Sequence, residues 1–359
     1  MRYLLLALLP FSAFAQFNPG FDTDEYREML LILARTADDE EYAANFPEPE
    51  HQLVYRSEPI GLDNQWDLWY DDVHHTAVIS VRGTTPNPDS WLLNFYAAMV
   101  PAQGEISYEV DGELQTYSYK YAEDEDAAVH AGWALGTRMM LNDIMRESIQ
   151  LYYQEDVTDF YIVGHSQGGA IAYLLTAQMR YLQQDMMLPS EWRFKTYCSA
   201  APKPGNLYFA YDYEATIQNG WGFNVVNSAD WVPEVPISIQ TLEDFNGANP
   251  FVHIDDMVEQ QSLMNRIGLW WVLRKLERPT EKAQENYESF LGNYINRDVS
   301  EKIAGLMMPE YFPSNNYVRV GIQIVLHPDS AYYNEFPEDP DVIFRHHIIE
   351  PYLYLAEQL

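Results

Sequence analysis

The sequence predicts an α/β fold in which a mostly parallel central sheet is flanked by helices. Strand-like runs rich in aromatic and β-branched residues are interspersed with helical stretches along the chain. One such run leads into Gly164-His165-Ser166-Gln167-Gly168, and a helix-forming stretch begins directly after it. A strand that turns sharply into a helix through a serine bounded by glycines is typical of one group of α/β folds.

The pentapeptide from Gly164 to Gly168 has the form G-x-S-x-G. The preceding residues 159–163 have the composition of a short buried strand, and the apolar residues after Gln167 keep helical spacing. A tight strand-to-helix turn crowds the backbone, so the residues two positions before and after the serine must lack a Cβ atom. We therefore expect Ser166 to stand exposed at the turn, where α/β-hydrolases present their nucleophile.

The other elements follow from local patterns. Two strand-like runs at 66–70 and 76–81 predict a hairpin, and the alternation across 105–121 predicts a second hairpin around Asp111-Gly112. Further strands are predicted at 194–200, 221–226 and 317–326. Helices are predicted after the capping residue Asp22, over 127–150 with Gly132 and Gly136 allowing close approach to a neighbour, and over 348–359.

Residues 1–15 have the pattern of a secretory signal peptide. Arg2 precedes an apolar run, and Ala13-Phe14-Ala15 forms a small-x-small cleavage site before Gln16. The run is too short to span a bilayer as a retained anchor, and no later segment has the apolar length of a membrane helix. We therefore expect residues 16–359 to be exported as one domain, secreted or periplasmic, without an integral membrane segment.

The chain is strongly acidic, with 54 Asp and Glu against 21 Lys and Arg and a formal net charge of −33. Such a field repels nucleic acid and anionic membrane surfaces, so the composition excludes a polyanion-binding protein. A solvated acidic surface that favours solubility is the expected consequence.

Neither a disulfide nor a metal site is predicted. Cys198 is the single cysteine, so no intramolecular bridge can form, and its strand-like surroundings predict a small buried hydrophobe. His74 and His75 have no partner at metal-ligand spacing and are expected in a turn. We predict no cofactor and no metal.

A serine nucleophile requires two partners. An imidazole must take its proton, and a carboxylate must orient that imidazole and offset the charge it acquires. In α/β-hydrolases these groups follow the serine in the order acid, then histidine. Asp230 directly follows a predicted strand, and the late histidines are His327, His346 and His347.

At these residues the chain resembles the fungal-type, class 3 lipases, which are α/β-hydrolases. The resemblance covers roughly residues 50–236 and 317–359 and depends on five stretches that occur in the same order as in the family. These stretches are Val81-Arg82-Gly83-Thr84, Val129-His130-Ala131-Gly132-Trp133, Ile162 to Ala170, Asp230 to Pro233, and a histidine five residues before Tyr352.

The resemblance implies a role for each matching residue. Ser166 corresponds to the nucleophile, Asp230 to the orienting carboxylate, and His347 to the general base, because the family spacing is His-x-x-x-x-Tyr. His346 stays open as an alternative base, one residue out of register. The family's oxyanion residue falls on Thr84, whose hydroxyl and N–H would act together with the N–H of Gln167.

The implied function is that of an exported serine carboxylic-ester hydrolase, a lipase acting on acylglycerols through an acyl-enzyme. The alternatives are a phospholipase, an esterase for small esters, or a lipid-binding protein that kept the fold without turnover. Residues 86–100 are expected to be either a mobile lid that opens at a lipid–water interface or a fixed helix beside the site. The stretch 237–316 has no family motif and is expected to be a helical insertion, either an interface-seeking cap or an amphipathic layer packed on the core.

Overall fold

The computed structural model describes residues 17–37, 39–249 and 263–359. Within the third range, the backbone alone is described at 263–270, 273 and 276. The predicted signal peptide of residues 1–15 lies outside the described residues.

The described elements form an α/β arrangement with the following boundaries. The strands are β1 (Gln52–Arg56), β2 (Trp66–Asp71), β3 (Thr76–Val81), β4 (Met99–Pro101), β5 (Gln103–Val110), β6 (Glu113–Lys120), β7 (Ala128–His130), β8 (Asp159–His165), β9 (Arg193–Ser199), β10 (Gly222–Asn227) and β11 (Ile322–Leu326). The helices are α1 (Thr23–Thr36), α2 (Glu40–Ala43), α3 (Pro88–Phe95), α4 (Ala131–Glu155), α5 (Gln167–Gln184), α6 (Leu207–Thr216), α7 (Leu263–Tyr287), α8 (Ile295–Lys302), α9 (Ser330–Glu335) and α10 (Ile349–Ala356).

Seven strands form the central sheet in the order β1-β2-β3-β8-β9-β10-β11. The pairs β1–β2 and β2–β3 are antiparallel, whereas every pair from β3 to β11 is parallel. The predicted mostly parallel sheet of an α/β-hydrolase is therefore confirmed. The carboxyl ends of the parallel strands share one edge, which is where such folds bind their ligands.

Both predicted hairpins are present. Strands β2 and β3 pair in register from Trp66 opposite Val81 to Asp71 opposite Thr76. Strands β5 and β6 are joined at Asp111 and Gly112, whose φ angles of 54° and 80° lie in the left-handed region that a tight hairpin turn requires. The last strand is shorter than predicted: β11 begins at Ile322, directly after Gly321 at φ 85°, rather than at residue 317.

The sheet is buried on both faces because helices cover each side. Successive residues of β8 show this, since Ile162 belongs to the core beneath α4 and α5 while Val163 belongs to the core beneath α1 and α10. Cys198 is fully buried in β9, as expected. The apolar side of helix α1 packs into the second of these cores, and α1 also contacts α10.

Close helix contact depends on Gly132, as the sequence predicts. A Cβ atom at this position of α4 would lie 2.0 Å from the backbone oxygen of Leu93 in α3. At Gly136 the nearest neighbours of such an atom would be side chains of Asn64 and Leu93, at 2.9 and 3.2 Å. Helix α3 is thus held directly against α4.

The stretch predicted as an insertion contains the long helix α7, a π-helical segment at Glu288–Tyr294, and α8. Its later part packs on the domain, because Tyr287 is buried near Tyr317, and Val299 belongs to the main core. By contrast, no described side chain between Trp271 and Asn286 is buried. Among the helices in the described part of the chain, none has the length and apolar composition needed to cross a bilayer.

Candidate active site

Ser166 lies at the turn between β8 and α5 in a strained conformation, with φ 60° and ψ −129°. A Cβ atom at Gly164 would lie 2.1 Å from the carbonyl of Gly168, and one at Gly168 would lie 2.2 Å from the carbonyl oxygen of Val81. Backbone atoms cannot yield to such contacts, so both positions require glycine. The turn therefore has the backbone geometry that a nucleophile elbow needs.

Asp230 follows β10 and is fully buried at its side chain. Its Oδ2 atom lies 2.7 Å from Nδ1 of His347 and accepts a second hydrogen bond, of 2.8 Å, from the hydroxyl of Tyr352. Its Oδ1 atom accepts the backbone N–H of Val232 at 3.0 Å. A carboxylate with these donors can fix the tautomer of His347 with its proton on Nδ1, which leaves Nε2 able to accept a proton.

His346 points elsewhere. Its Nδ1 atom lies 2.8 Å from the hydroxyl of Tyr332, and its carbonyl accepts from the side-chain amide of Asn227 at 3.1 Å. Burial lowers the pKa of His346. The hydrogen bond to the Asp230 side chain belongs to His347, and this geometry favours His347 over His346 as the residue paired with the acid. His327 is exposed at the end of β11.

Thr84 and Gln167 are joined through Asn94 of α3. The side-chain amide of Asn94 donates to Oγ1 of Thr84 at 2.9 Å, so the hydroxyl hydrogen of Thr84 is directed away from this contact. The oxygen of the same amide accepts from Nε2 of Gln167 and Nε1 of Trp133, both at 3.0 Å. Gln167 is the first residue of α5, where backbone N–H groups have no acceptor within the helix. Sequence reasoning missed Asn94.

Asp63 stabilises the loop that carries Thr84 through hydrogen bonds. Sequence reasoning also missed this residue. Its Oδ1 atom accepts from the guanidinium of Arg82 at 3.1 Å, and its Oδ2 atom accepts the hydroxyl of Thr85 at 2.5 Å. Asp63 has a φ of 63° in a short turn between β1 and β2. The turn-forming residues around Asp63 could have predicted the turn itself. They could not have predicted its contact with a loop about twenty residues later.

His165, next to the serine, contacts the loop of His347. Its Nε2 atom lies 2.5 Å from the carbonyl oxygen of His347, and its Nδ1 atom lies 3.1 Å from Oγ of Ser199. That hydroxyl lies 2.7 Å from the hydroxyl of Tyr26 on α1. Burial holds the pKa of His165 well below its usual range, so the ring is neutral and can donate only through one nitrogen. His165 is thus a packed, hydrogen-bonded histidine.

Four of the five predicted site residues, Ser166, His347, Thr84 and Gln167, line one cavity of about 660 Å³. The fifth, Asp230, lies behind His347. Most of the remaining lining is apolar. It includes Leu33, Trp91, Phe95, Val232, Leu291, Phe344 and Ile349. The cavity is therefore suited to a largely apolar molecule with one polar centre beside Ser166.

Helix α3, in the stretch expected to be a lid or a fixed helix, is tied to the site by several contacts. The backbone oxygen of Ser90 accepts from Nε2 of Gln167 at 3.1 Å. Asp89 forms a salt bridge of 3.0 Å with Lys302 of α8. Together with the close approach of Leu93 to Gly132, these contacts favour the fixed-helix alternative.

Away from this cavity, the described residues include one group with metal-ligand atoms close together, formed by Glu50, Asp71 and His74. Asp71 has a structural role there, since its Oδ1 atom accepts the backbone N–H groups of Val73 and His74 in the hairpin turn. The expectation that His74 lies in a turn agrees with this geometry. The absence of a metal stays a prediction.

The sequence of residues 78–239 matches the lipase (class 3) family. This range is a little under half of the chain, and over it the sequence resembles the class 3 lipases. The matched range includes Thr84, Ser166 and Asp230 but ends before His347. The match agrees with the resemblance that the sequence predicts for these residues.

One relative is a secreted mono- and diacylglycerol lipase, MDL4, from Malassezia globosa, with 27% identity over 186 residues. That alignment covers 52% of this chain and 50% of the relative, so the chain matches about half the length of this curated protein.

Solved structures that are similar include lipase II from Rhizopus niveus, with 22% identity and a TM-score of 0.43 over 60% of this chain and 74% of that one. Another is the Lip2 lipase of Yarrowia lipolytica, with 17% identity and a TM-score of 0.44 over 61% and 76%.

Acid should destabilise the fold through His130, which stacks on Trp133 at 3.7 Å between ring centroids. Burial lowers the pKa of His130 to about 3, whereas an unfolded histidine titrates near pH 6.5. The unfolded chain therefore binds more protons between these values, and stability present above about pH 6.5 is lost as pH falls toward 3. We expect His130→Asn, which keeps an N-cap acceptor, to reduce the fall in unfolding free energy between pH 7 and 4.5, measured with urea.

His327→Asn provides the comparison, since it removes an exposed histidine by the same substitution. Equal slopes for the wild type and His130→Asn would show that this ring does not stay neutral in the folded protein.

Proposed function

We propose that this protein hydrolyses carboxylic esters of acylglycerols through a covalent acyl-enzyme on Ser166. The observation that carries the proposal is the shared cavity: Ser166, on a strained turn, and His347 line the same apolar space, and Asp230 lies 2.7 Å behind the imidazole. In this scheme Ser166 is the nucleophile, His347 the general base and Asp230 the orienting carboxylate.

The first half-reaction uses the proton-accepting nitrogen of His347. Oγ of Ser166 attacks the ester carbonyl carbon while its proton passes to Nε2 of His347, and the carbonyl π electrons move onto oxygen. The carbonyl then re-forms as the bond to the alcohol oxygen breaks, and His347 returns its proton to the departing alcohol. A water molecule repeats the sequence on the acyl-enzyme and releases the fatty acid.

Thr84 and Gln167 are proposed to stabilise the oxyanion that forms in each half-reaction. The hydroxyl of Thr84 accepts from Asn94, so its own hydrogen remains available to the developing negative charge. The N–H of Gln167, at the N-terminus of α5, adds a second donor and the favourable end of the helix dipole. Loss of one such donor typically costs about 2.7 to 4 kcal/mol of barrier.

The apolar cavity supports an acyl chain as the part of the substrate that is bound. Its volume of about 660 Å³ and its lining by Trp91, Phe95 and Phe344 fit a fatty acyl group better than a charged one. The relative from Malassezia globosa, described as a mono- and diacylglycerol lipase, supports acylglycerols as the class.

We also propose that the protein is exported. The N-terminal pattern of residues 1–15 supports a cleavable signal peptide. The relative is described as secreted, which agrees with this proposal. The exported part would be a single α/β-hydrolase domain with its helical insertion at 237–316.

A fluorophosphonate probe tests the proposal directly, because it reacts with activated serines. We expect stoichiometric labelling of the wild type at Ser166, with no labelling of Ser166→Ala and loss of hydrolysis of p-nitrophenyl butyrate and emulsified diacylglycerol. Ser148→Ala offers a matched control, since Ser148 is a buried serine of α4 that does not line the cavity. An unlabelled wild type that still binds lipid would indicate a non-catalytic lipid-binding protein instead.

The two adjacent histidines should differ sharply. We expect His347→Ala to lower kcat by at least about a thousandfold, because the serine loses its base. His346→Ala should keep most of the activity, because its ring contacts Tyr332 rather than the Asp230 carboxylate. The kcat values for p-nitrophenyl butyrate measure both effects, and circular dichroism checks that each variant folds. The reverse pattern would assign the base to His346.

A further inference from the structure

The first half of α7 differs in composition from the rest of the protein. Between Leu263 and Leu276 the sequence contains nine apolar residues, two of them the adjacent tryptophans Trp270 and Trp271. It also contains three basic residues and no acidic one, in a chain with a formal net charge of −33. The proposed catalytic reaction uses none of these residues.

The described side chains of this half are exposed. Trp271 and Val272 are adjacent large apolar residues that are 59% and 46% exposed. The ammonium of Lys275 lies 5.7 Å from the ring centre of Trp271, so a cation and an aromatic ring stand side by side on this surface. Beyond this half, Arg278 and Lys282 are also exposed, but they alternate with Glu277 and Glu281, and Lys282 pairs with Glu285 at 2.9 Å.

The other end of α7 is fixed at the cavity. Tyr287 is buried, and both Tyr287 and Leu291 line the space that contains Ser166. At about 1.5 Å per residue, Trp271 lies roughly 24 Å along the helix from Tyr287. The exposed half therefore extends outward from the wall of the cavity.

Charge identifies the occupant of this surface. An acid-free segment of tryptophan, leucine and basic residues has the composition of helices that bind at an anionic lipid surface. The negative field of the whole protein opposes such binding, but at physiological salt a charge acts over only about 8 Å. Exposed basic residues on this helix can thus interact with headgroup phosphates within that distance.

We propose that the segment Leu263–Lys282 is a docking helix for a bilayer surface containing anionic phospholipid. Its Trp271 and Val272 enter the interfacial region, and Lys275 and Arg278 contact the headgroup phosphates. Docking there brings the wall of the cavity close to the membrane that contains or receives the lipid. The proposal does not depend on turnover, so the Ser166→Ala protein can be used to test it.

A single label reports the contact. Because Cys198 is the only cysteine and is fully buried, Val272→Cys in the Ser166→Ala protein can be labelled selectively with bimane. We expect a blue shift of bimane emission with vesicles of phosphatidylcholine and phosphatidylglycerol in equal amounts, and none with phosphatidylcholine alone. Sedimentation with the same vesicles gives the affinity.

Lys275→Gln combined with Arg278→Gln should weaken binding to the mixed vesicles by roughly thirtyfold, since each basic residue near an anionic surface contributes about 1 kcal/mol. The matched control is Lys120→Gln combined with Arg146→Gln, which removes the same charge from β6 and α4 and should leave binding unchanged. Equal shifts with both vesicle types, or no shift with either, would overturn the proposal. A shift that grows with protein concentration in the absence of vesicles would also overturn it, by assigning the helix to contact with a second copy of the chain.

Discussion

The candidate site depends on the buried carboxylate of Asp230. A buried carboxylate is costly unless donors surround it, and Asp230 accepts from His347, Tyr352 and the backbone N–H of Val232. Two of these donors come from the C-terminal end of the chain, about 120 residues later. The same hydrogen bonds that compensate the buried charge therefore attach the last helix to the edge of the sheet and hold His347 beside the cavity.

A second set of contacts attaches the His347 loop from the opposite side. His165 follows the core of β8 and donates to the carbonyl of His347, while its other nitrogen contacts Ser199 at the end of β9. Ser199 in turn meets Tyr26 of α1. Helix α1 and the His347 loop are thus joined through the residue next to Ser166. Such shared contacts make the position of the imidazole a property of the whole domain.

Local patterns were sufficient to predict much of this arrangement. The elbow could be predicted because the clash at Gly164 involves the backbone of Gly168, only four residues later, and the hairpin at Asp111 because a tight turn limits which residues fit. Contacts between distant segments could not be predicted in this way. Asp63 and Asn94 carry no motif, and their roles arise only when folding brings their loops beside Thr85 and Thr84.

The role of the insertion was left open by the sequence for a physical reason. Its apolar and basic residues are compatible with packing on the core of an acidic domain and with binding to a separate surface. Tyr287, at the end of α7, is buried and packs on the domain, whereas Trp271, in its first half, is exposed and available to a separate surface. A composition averaged over the whole segment does not distinguish its packed end from its exposed end.

The rate of fluorophosphonate labelling in Asp230→Asn tests the central claim most directly. The amide preserves the shape of the side chain but presents an N–H or a neutral oxygen to Nδ1 of His347, which disturbs the tautomer that the reaction needs. We expect the folded variant to react at least about a thousandfold more slowly than the wild type. Labelling at the wild-type rate would contradict the account, because Ser166 would then be activated without the charge of Asp230.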